Sequence, residues 1–352
     1  MELLSLVKMG YLATLSFVIA FALTPILTHF LYKYRMGKQI RDSATAPIMA
    51  ALHAKKSGTP TMGGILIWVT MLIVMGLFHF GNVYIGGKFF SVMDFFSRRE
   101  TLLPLGALVA SALVGLVDDY WNVRRMGPNG GGLGMRHRLL LYTIIAVVGA
   151  AWFYLKLGFD VVHVPFVGDF SFGWWYVPFF VFVLVATSFS VNEADGLDGL
   201  SGGTLLTSFA AYSAIAFLQG RFELATFCAV IVGALLAFLW FNIAPARFFM
   251  GDTGAMALGV TLGVVAMLTN TPFLLPIIGL VFVIESSSVI IQMISKKLRG
   301  GKKVFLSSPI HHHFEAIGWP ETKIVMRFWI ISAIAMMVGL ILAIIDIGIL
   351  RS

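Results

Sequence analysis

The stretch SVNEADGLDGL, at residues 190–200, lies between two apolar runs that are each long enough to cross a bilayer. It contains three carboxylates within six residues. Ionisable groups are costly beside membrane-spanning segments, and those that occur there are functional by default. If the next helix began here, Asp195 and Asp198 would share one face and need a cation between them. Gly196 and Gly199 would leave room for a ligand beside each acid. The stretch therefore predicts a site for metal and phosphate.

The whole chain has the composition of an integral membrane protein. Of its 352 residues, 59% are hydrophobic and 12% are charged, whereas a soluble domain is about 25% charged. We expect an all-α polytopic membrane protein that forms one domain over residues 1–352. About 20 apolar residues make one span, and the sequence contains ten candidate spans, of which the eighth is short: 10–32, 61–80, 101–117, 139–157, 174–191, 200–218, 223–241, 254–269, 272–295 and 328–349.

The distribution of basic residues predicts the orientation. If the N-terminus lies outside, the inner loops hold 18 of the 25 Lys and Arg, as the positive-inside rule requires. The same choice puts every acid cluster on the cytoplasmic side.

The outer segment 160–173 alternates short β-branched and aromatic pieces and predicts a small hairpin, on which His163 is expected to be a surface residue. The single Cys228 excludes an internal disulfide framework and a cysteine zinc site.

Further acids stand at the predicted inner ends of other spans. Asp118 and Asp119 follow the third span, where a helix C-terminus disfavours negative charge, so either a nearby cation or a functional role is needed. Asp252 follows WFNIAPARFFMG, whose residues 248–250 offer an apolar face for a base to stack on. Glu285 lies inside the ninth span, either as a functional group or bonded to serines of its own helix.

Three basic or polar segments complete the inner face. KKSGTPTMGG, at residues 55–64, reads either as a tight turn with lysines at its mouth or as an ordinary basic flank. The glycine-rich segment 127–134 is flanked by arginines but has neither known phosphate-loop spacing. His311, His312 and His313 are consecutive, so they cannot share a helix face, and a metal tripod is disfavoured against hydrogen bonding to phosphate or sugar.

Oxygen ligands without sulfur suit Mg²⁺ or Mn²⁺ held jointly with substrate phosphates. The residues alone therefore favour phosphoryl transfer to a membrane lipid over a lipid flippase or an ion-coupled transporter, since the acids gather on one face and no internal repeat is visible.

Five motifs carry a resemblance to a known family. KKSGTPTMGG, VDDYWN, NEADGLDGL, WFNIAPARFFMGDTG and PIHHHFEAIGWPETKIVMRFW occur in this order between residue 53 and about residue 330. They resemble the phospho-N-acetylmuramoyl-pentapeptide-transferase family. Its wider superfamily shares the DD, NxxDGxDG and FMGD elements, so a sister polyprenyl-phosphate GlcNAc-1-phosphate transferase is the alternative, but PTMGG and PIHHHxE are typical of the muramoyl-pentapeptide branch.

The resemblance implies transfer of phospho-MurNAc-pentapeptide from UDP-MurNAc-pentapeptide to undecaprenyl phosphate, which gives lipid I and UMP in the first membrane step of peptidoglycan synthesis. It also implies a homodimer in the bacterial cytoplasmic membrane, with both termini periplasmic, Mg²⁺ as cofactor and no nucleic-acid partner. Carried over by motif, the expected catalytic residues are Asp118, Asp119, Asp252 and His311, with Asp252 the metal ligand. The expected substrate-binding residues are Lys56, Thr61, Arg138, Asn192, Asp195, Gly196, Leu197, Asp198, Asn242, Phe249, His312 and His313.

The chain departs from the family pattern near the acid pair. Asn122 stands where a Lys is usual, Ala194 where a Thr is usual, and Arg136 and Arg138 where Lys is common. Either Arg124 or Arg125 supplies the missing charge, or both only mark the basic boundary of the span and the site works with one contact fewer.

Overall fold

A computed structural model of the chain describes residues 2–37, 56, 58–98, 100–127 and 131–351, so part of the basic loop after the first span and of the glycine-rich segment lies outside the described residues. The described chain is a bundle of helices with one two-stranded sheet. The helices are α1 (Glu2–Lys33), α2 (Ile65–Phe80), α3 (Lys88–Met93), α4 (Leu102–Val123), α5 (Met135–Ala151), α6 (Tyr176–Ala194), α7 (Leu200–Leu218), α8 (Phe222–Asn242), α9 (Asp252–Leu268), α10 (Leu275–Ile278), α11 (Leu280–Leu298), α12 (Ile310–Ala316) and α13 (Glu321–Arg351).

The helices confirm the predicted fold class. Among the described residues, eight helices are long and apolar enough to span a membrane by length and composition. The predicted spans 254–269 and 272–295 correspond to the 17-residue α9 and to α10 followed by α11. The chain is therefore an all-α polytopic membrane protein.

The short helix α9 lies at the centre of the bundle. Every residue from Thr253 to Leu268 is buried, and α4 and α6 are among the helices that pack against it. A helix that is apolar on all sides is stable only when it is enclosed. Gly115 of α4 permits close contact, since a Cβ there would lie 2.3 Å from the carbonyl oxygen of Asp252. The first residue of α9 is thus held against α4 one turn before its acid pair.

The chain direction gathers the predicted site at one end of the bundle. Asp118 is near the end of α4, Arg138 near the start of α5, Asn192 near the end of α6, and Asp252 begins α9. Because successive spans run in opposite directions, these four positions meet at the same end.

The predicted hairpin is confirmed at the opposite end. Strand β1 (Val161–Val164) pairs antiparallel with β2 (Gly168–Ser171), with Val161 opposite Ser171. The expectation that His163 is a surface residue was wrong, because it is 6% exposed. Its Nδ1 lies 2.7 Å from Asp169 and its Nε2 lies 2.7 Å from Asp346 of α13. The imidazole therefore fastens the hairpin to the last helix, a contact between distant residues that no local pattern reveals.

We expect this contact to stabilise the protein in a pH-dependent way. Burial alone would lower the pKa of His163, but the hydrogen bonds to Asp169 and Asp346 outweigh it and raise the pKa above 6.5. The stabilisation is then fully present below pH 6.5 and is lost as the pH rises through the raised value. Asp346→Asn should cost about 1.5–3 kcal/mol of stability at acidic pH and less at alkaline pH.

The measurement is thermal unfolding of the purified protein at about pH 6 and about pH 9, on either side of neutrality. Asp160→Asn is the matched control, since the only hydrogen bond described for the Asp160 side chain is an exposed one from the Ser171 hydroxyl beside the same hairpin. An equal loss of Tm at both pH values in Asp346→Asn would contradict the role of His163.

Candidate active site

One half of the site is a cluster of two carboxylates around an arginine. The Arg138 Nε lies 2.8 Å from Asp118 Oδ2, and its Nη2 lies 2.9 Å from Asp252 Oδ2. The Asn192 amide donates to the other oxygen of Asp252, and the backbone N–H of Leu133 donates to Asp118. Asp118 is completely buried. Two carboxylates that α4 and α9 bring together thus share one guanidinium.

Asp119 points away from this cluster although it is adjacent to Asp118 in sequence. Its Oδ2 accepts a hydrogen bond of 3.0 Å from the backbone N–H of Thr253, in the first turn of α9. The Thr61 hydroxyl donates to its Oδ1 at 3.3 Å. Successive residues of a helix are about 100° apart, so the two acids serve different neighbours. Asp119 and Thr61 are both buried and hold the start of α9 in place.

The segment PTMGG is joined to the loop before Asp252 by main-chain hydrogen bonds. The N–H groups of Gly63 and Gly64 donate to the carbonyls of Phe249 and Met250, each at 2.8 Å, and the N–H of Phe249 donates to Pro60. The sequence analysis interpreted this segment as a tight turn. In the structure it also lies beside the loop before Asp252 and holds the backbone of that loop in place.

The second half of the site is centred on Lys56. Its Nζ lies 2.7 Å from Asp198 Oδ1 and also contacts Glu321. Asp198 accepts a hydrogen bond of 3.0 Å from the N–H of Ala246 through its other oxygen. The Lys56 Nζ lies 5.9 Å from the ring centroid of Phe249. A cation, an aromatic ring and a carboxylate pair from four separate segments thus meet.

Glu321 was missed from the sequence. It begins α13 and accepts the backbone N–H of Asp198 at 2.7 Å in addition to contacting Lys56. In the sequence it looks like an ordinary acidic residue in the first turn of a helix. The signal would have been Pro320, because proline is common at helix starts and so places Glu321 where a helix begins.

Several expected substrate contacts are engaged within the chain. Asn242 accepts the N–H of Gly199 at 3.0 Å and donates to the carbonyl of Phe248 at 2.8 Å. The Leu197 side chain packs in an apolar cluster with Val281, Ile324 and Phe328. These two side chains shape the loops, and their expected role in binding stays a prediction.

Two local expectations are corrected by the packing. Helix α7 begins only at Leu200, so Asp195 and Asp198 lie in a turn and do not share a helix face. Of the apolar residues 248–250, Phe248 and Met250 are buried in the core, which leaves the partly exposed Phe249 as the candidate for stacking.

The three histidines have three different partners. His311 Nδ1 lies 2.8 Å from Glu285, and His312 Nδ1 lies 2.6 Å from Glu315. His313 Nδ1 accepts the N–H of Leu306 at 3.3 Å. The expectation that they do not share one direction is confirmed. Glu285, for which the sequence left two alternatives, therefore pairs with a histidine of the last inner loop.

The guanidinium at the acid cluster is that of Arg138, which favours the alternative in which Arg124 and Arg125 do not supply the missing contact. Both of these side chains are exposed, and the Arg124 guanidinium lies 5.5 Å above the ring of Tyr120. We therefore expect Arg124→Ala and Arg125→Ala to keep kcat/KM within about threefold of wild type, since exposed charges contribute little. A loss of about tenfold or more, recovered by Asn122→Lys, would show that one of them binds phosphate after all.

The donors of the acid cluster are of the kind that suits Mg²⁺ or Mn²⁺. Its donors are oxygens only, from Asp118, Asp252 and the Asn192 amide. Among the described residues, no group of three or more His, Cys, Asp or Glu side chains is arranged to hold a metal on its own. Mg²⁺ is typically bound by one or two carboxylates together with substrate phosphates.

Comparison with known proteins identifies a matching family and several relatives of this chain. Residues 101–270 match Glycosyl transferase family 4, and residues 56–67 match the phospho-N-acetylmuramoyl-pentapeptide-transferase signature 1. A protein of Chloroflexus aggregans with that enzyme name is 37% identical over 346 residues, or 95% of this chain and 89% of the relative. Relatives with the same name from Geobacillus thermodenitrificans and Listeria monocytogenes are 40% and 37% identical, over 92% and 94% of this chain and 94% and 97% of their own lengths.

Proposed function

The chain belongs to the phospho-N-acetylmuramoyl-pentapeptide-transferase family, and from this we infer its reaction. It is a membrane transferase of peptidoglycan synthesis that moves phospho-MurNAc-pentapeptide from UDP-MurNAc-pentapeptide to undecaprenyl phosphate. The products are lipid I and UMP. The observation that carries this is identity of 37–40% over more than nine-tenths of the chain. A sister branch that uses UDP-GlcNAc is disfavoured because the branch signature is matched at Lys56 and the residues that follow it.

We propose that the acid cluster binds the reacting phosphates. Asp252 and Asp118 would hold Mg²⁺ together with the donor diphosphate, and the ion would supply charge neutralisation at the transferring phosphate. Arg138 lies between the two acids and supplies a fixed positive charge beside the same phosphates. Asn192 orients Asp252 by donating to its second oxygen.

The acceptor needs no strong general base. A phosphate monoester has a second pKa near 6, so the lipid phosphate is largely dianionic at neutral pH. One of its oxygens attacks the phosphorus attached to the sugar, and the bond to the UMP oxygen breaks. The protein's contribution is then position and charge, which Arg138 and the two acids provide.

We propose that the Lys56 half of the site binds the nucleotide end of the donor. Phe249 offers a partly exposed ring for the uracil to stack on, and base–aromatic stacking is worth about 1–3 kcal/mol. Lys56 supplies a cation beside it, held by Asp198 and Glu321. The loop from Ile243 to Gly251 joins this half to Asp252. A movement of this loop on nucleotide binding would therefore be passed on to the acid cluster.

The test is UMP release by the purified protein in detergent, with UDP-MurNAc-pentapeptide and a polyprenyl phosphate. Release with this donor and none with UDP-GlcNAc is expected. Turnover of UDP-GlcNAc alone would move the chain to the sister branch. Full activity in detergent, where no transmembrane gradient exists, would exclude obligatory transport.

The orientation and the homodimer are further proposals. A cytoplasmic site would let the soluble donor reach Lys56 while the hairpin faces the periplasm, as the basic loops indicate. Cys228 is buried, so single cysteines can be introduced at Val167 in the hairpin turn and at Lys303 in the loop after α11, both exposed. In intact cells an impermeant maleimide should label the cysteine at residue 167 and not the one at residue 303.

The homodimer is tested separately. Native mass spectrometry of the purified protein should give twice the chain mass.

A further inference from the structure

His311 is enclosed on both sides of its ring. Its Nδ1 lies 2.8 Å from a carboxylate oxygen of Glu285, and neither side chain has any exposed surface. Its Nε2 has no hydrogen-bond partner in the described part of the chain. That nitrogen faces Gly196, where an added Cβ would lie 2.1 Å from it. The ring thus fills the space that a side chain at residue 196 would occupy.

This packing revises the reason for the glycine in DGLDG. From the sequence, Gly196 was expected to let a ligand approach the backbone. The approaching group is the imidazole of the chain itself, which is held from the other side by a helix that the sequence places about 90 residues later. Asp195 and Asp198, the two acids of the motif, lie on either side of Gly196, the residue that the ring contacts.

The two side chains form a buried, hydrogen-bonded pair. Burial alone would lower the pKa of His311, but the Glu285 carboxylate outweighs it and raises the pKa, with smaller contributions from Glu315 and Glu193. Removing one member of a buried pair leaves the other charge without a partner, so such pairs hold their geometry firmly. A firmly held ring beneath Gly196 limits the positions that the loop above it can adopt.

We propose that Glu285 and His311 act as a positioning pair that supports the Asp195–Asp198 loop, with Glu285 acting through His311 and His311 acting through the backbone of Gly196. The proposal rests on the proposed function for its activity readout. It assigns Glu285 a part in the site, and it moves His311 from contact with the reacting atoms to their support.

The two ring nitrogens allow a direct test. Asparagine can replace the Nδ1 donor of histidine, whereas glutamine reaches closer to the position of Nε2. If His311 works through Glu285, His311→Asn should retain about tenfold more kcat/KM than His311→Gln, because it keeps a hydrogen bond to a buried charge. If glutamine is the better replacement, Nε2 contacts substrate and His311 is a catalytic residue, which would overturn the proposal.

Hydrogen exchange of the loop gives a readout that does not depend on activity. The N–H groups of Asp198 and Gly199 are bonded to Glu321 and Asn242, so they report loop order. Glu285→Ala should speed their exchange by about tenfold or more, and Glu285→Gln, which keeps an acceptor, by less. Ser288→Ala is the matched control on the same helix, because that hydroxyl donates to the Glu285 backbone carbonyl of α11 itself.

A second pair of variants tests the contact with Gly196. Gly196→Ala should impair the loop because its methyl group meets the ring, and the double variant Gly196→Ala with His311→Ala should exchange no faster than His311→Ala alone. Unchanged loop exchange in both Glu285→Ala and Gly196→Ala would overturn the proposal. A wild-type protein that releases no UMP but shows these exchange changes would reject the proposed function and leave the positioning pair supported.

Discussion

Asp252→Asn is expected to lower kcat by about 100- to 1,000-fold, the usual cost of one electrostatic contact at a reacting centre. Asparagine keeps the shape of the side chain and its contact with Asn192 but loses the charge that faces Arg138. Arg138 retains Asp118 as a partner, so the variant should fold. UMP release and thermal unfolding, measured on the same preparation, separate loss of the site from loss of the fold.

The metal is tested with the same protein. Chelation with EDTA should stop UMP release, and added Mg²⁺ should restore it and raise the Tm of the wild type more than that of Asp252→Asn. Asp160→Asn, in the hairpin at the other end of the bundle, is the control for a generic change of charge. More than a tenth of wild-type activity in Asp252→Asn at saturating Mg²⁺, or turnover in EDTA, would place the metal elsewhere or remove it from the reaction.

Arg138→Met is expected to destabilise the protein by about 3–5 kcal/mol, because it leaves Asp118 and Asp252 facing each other without their shared cation. Thermal unfolding in EDTA measures this loss. Added Mg²⁺ should raise the Tm of this variant more than it raises that of the wild type, since the ion would then neutralise both acids.

The matched control is Arg136→Met, two residues away on the same helix and exposed. It should unfold like the wild type, because exposed charges contribute little to stability. If Arg138→Met were as stable as Arg136→Met in EDTA, the two acids would not depend on the guanidinium. If Mg²⁺ stabilised both variants equally, the ion would bind away from Asp118 and Asp252.

The positions of the spans and of the polar loops could be read from the sequence. Hydrophobic runs of a bilayer's length are a local property, so the ten predicted segments correspond to helices, and α7 begins at the predicted residue 200. The hairpin at residues 161–171 was also predictable, because a hairpin depends on β-branched residues and a turn that are close together in the sequence.

The direction in which each polar side chain points was not readable from the sequence. Asp118 and Asp119 looked like one acid pair, yet one faces Arg138 and the other holds the start of α9. Arg138 was expected to bind substrate, and Arg124 or Arg125 was expected to supply charge near the acid pair. Which arginine reaches the acids depends on where α5 begins beside α4, and that depends on the packing of both helices around α9.

The sequence by itself determined that this chain crosses the membrane repeatedly and that clusters of acids stand where apolar runs begin or end, because hydropathy and charge are properties of each residue. Only the tertiary structure decided the partners: Lys56 with Glu321, Glu285 with His311, and His163 with Asp346. These pairs are separated by 265, 26 and 183 residues. A buried charge must find an opposite charge nearby, but where that charge stands along the chain is set by how the helices pack.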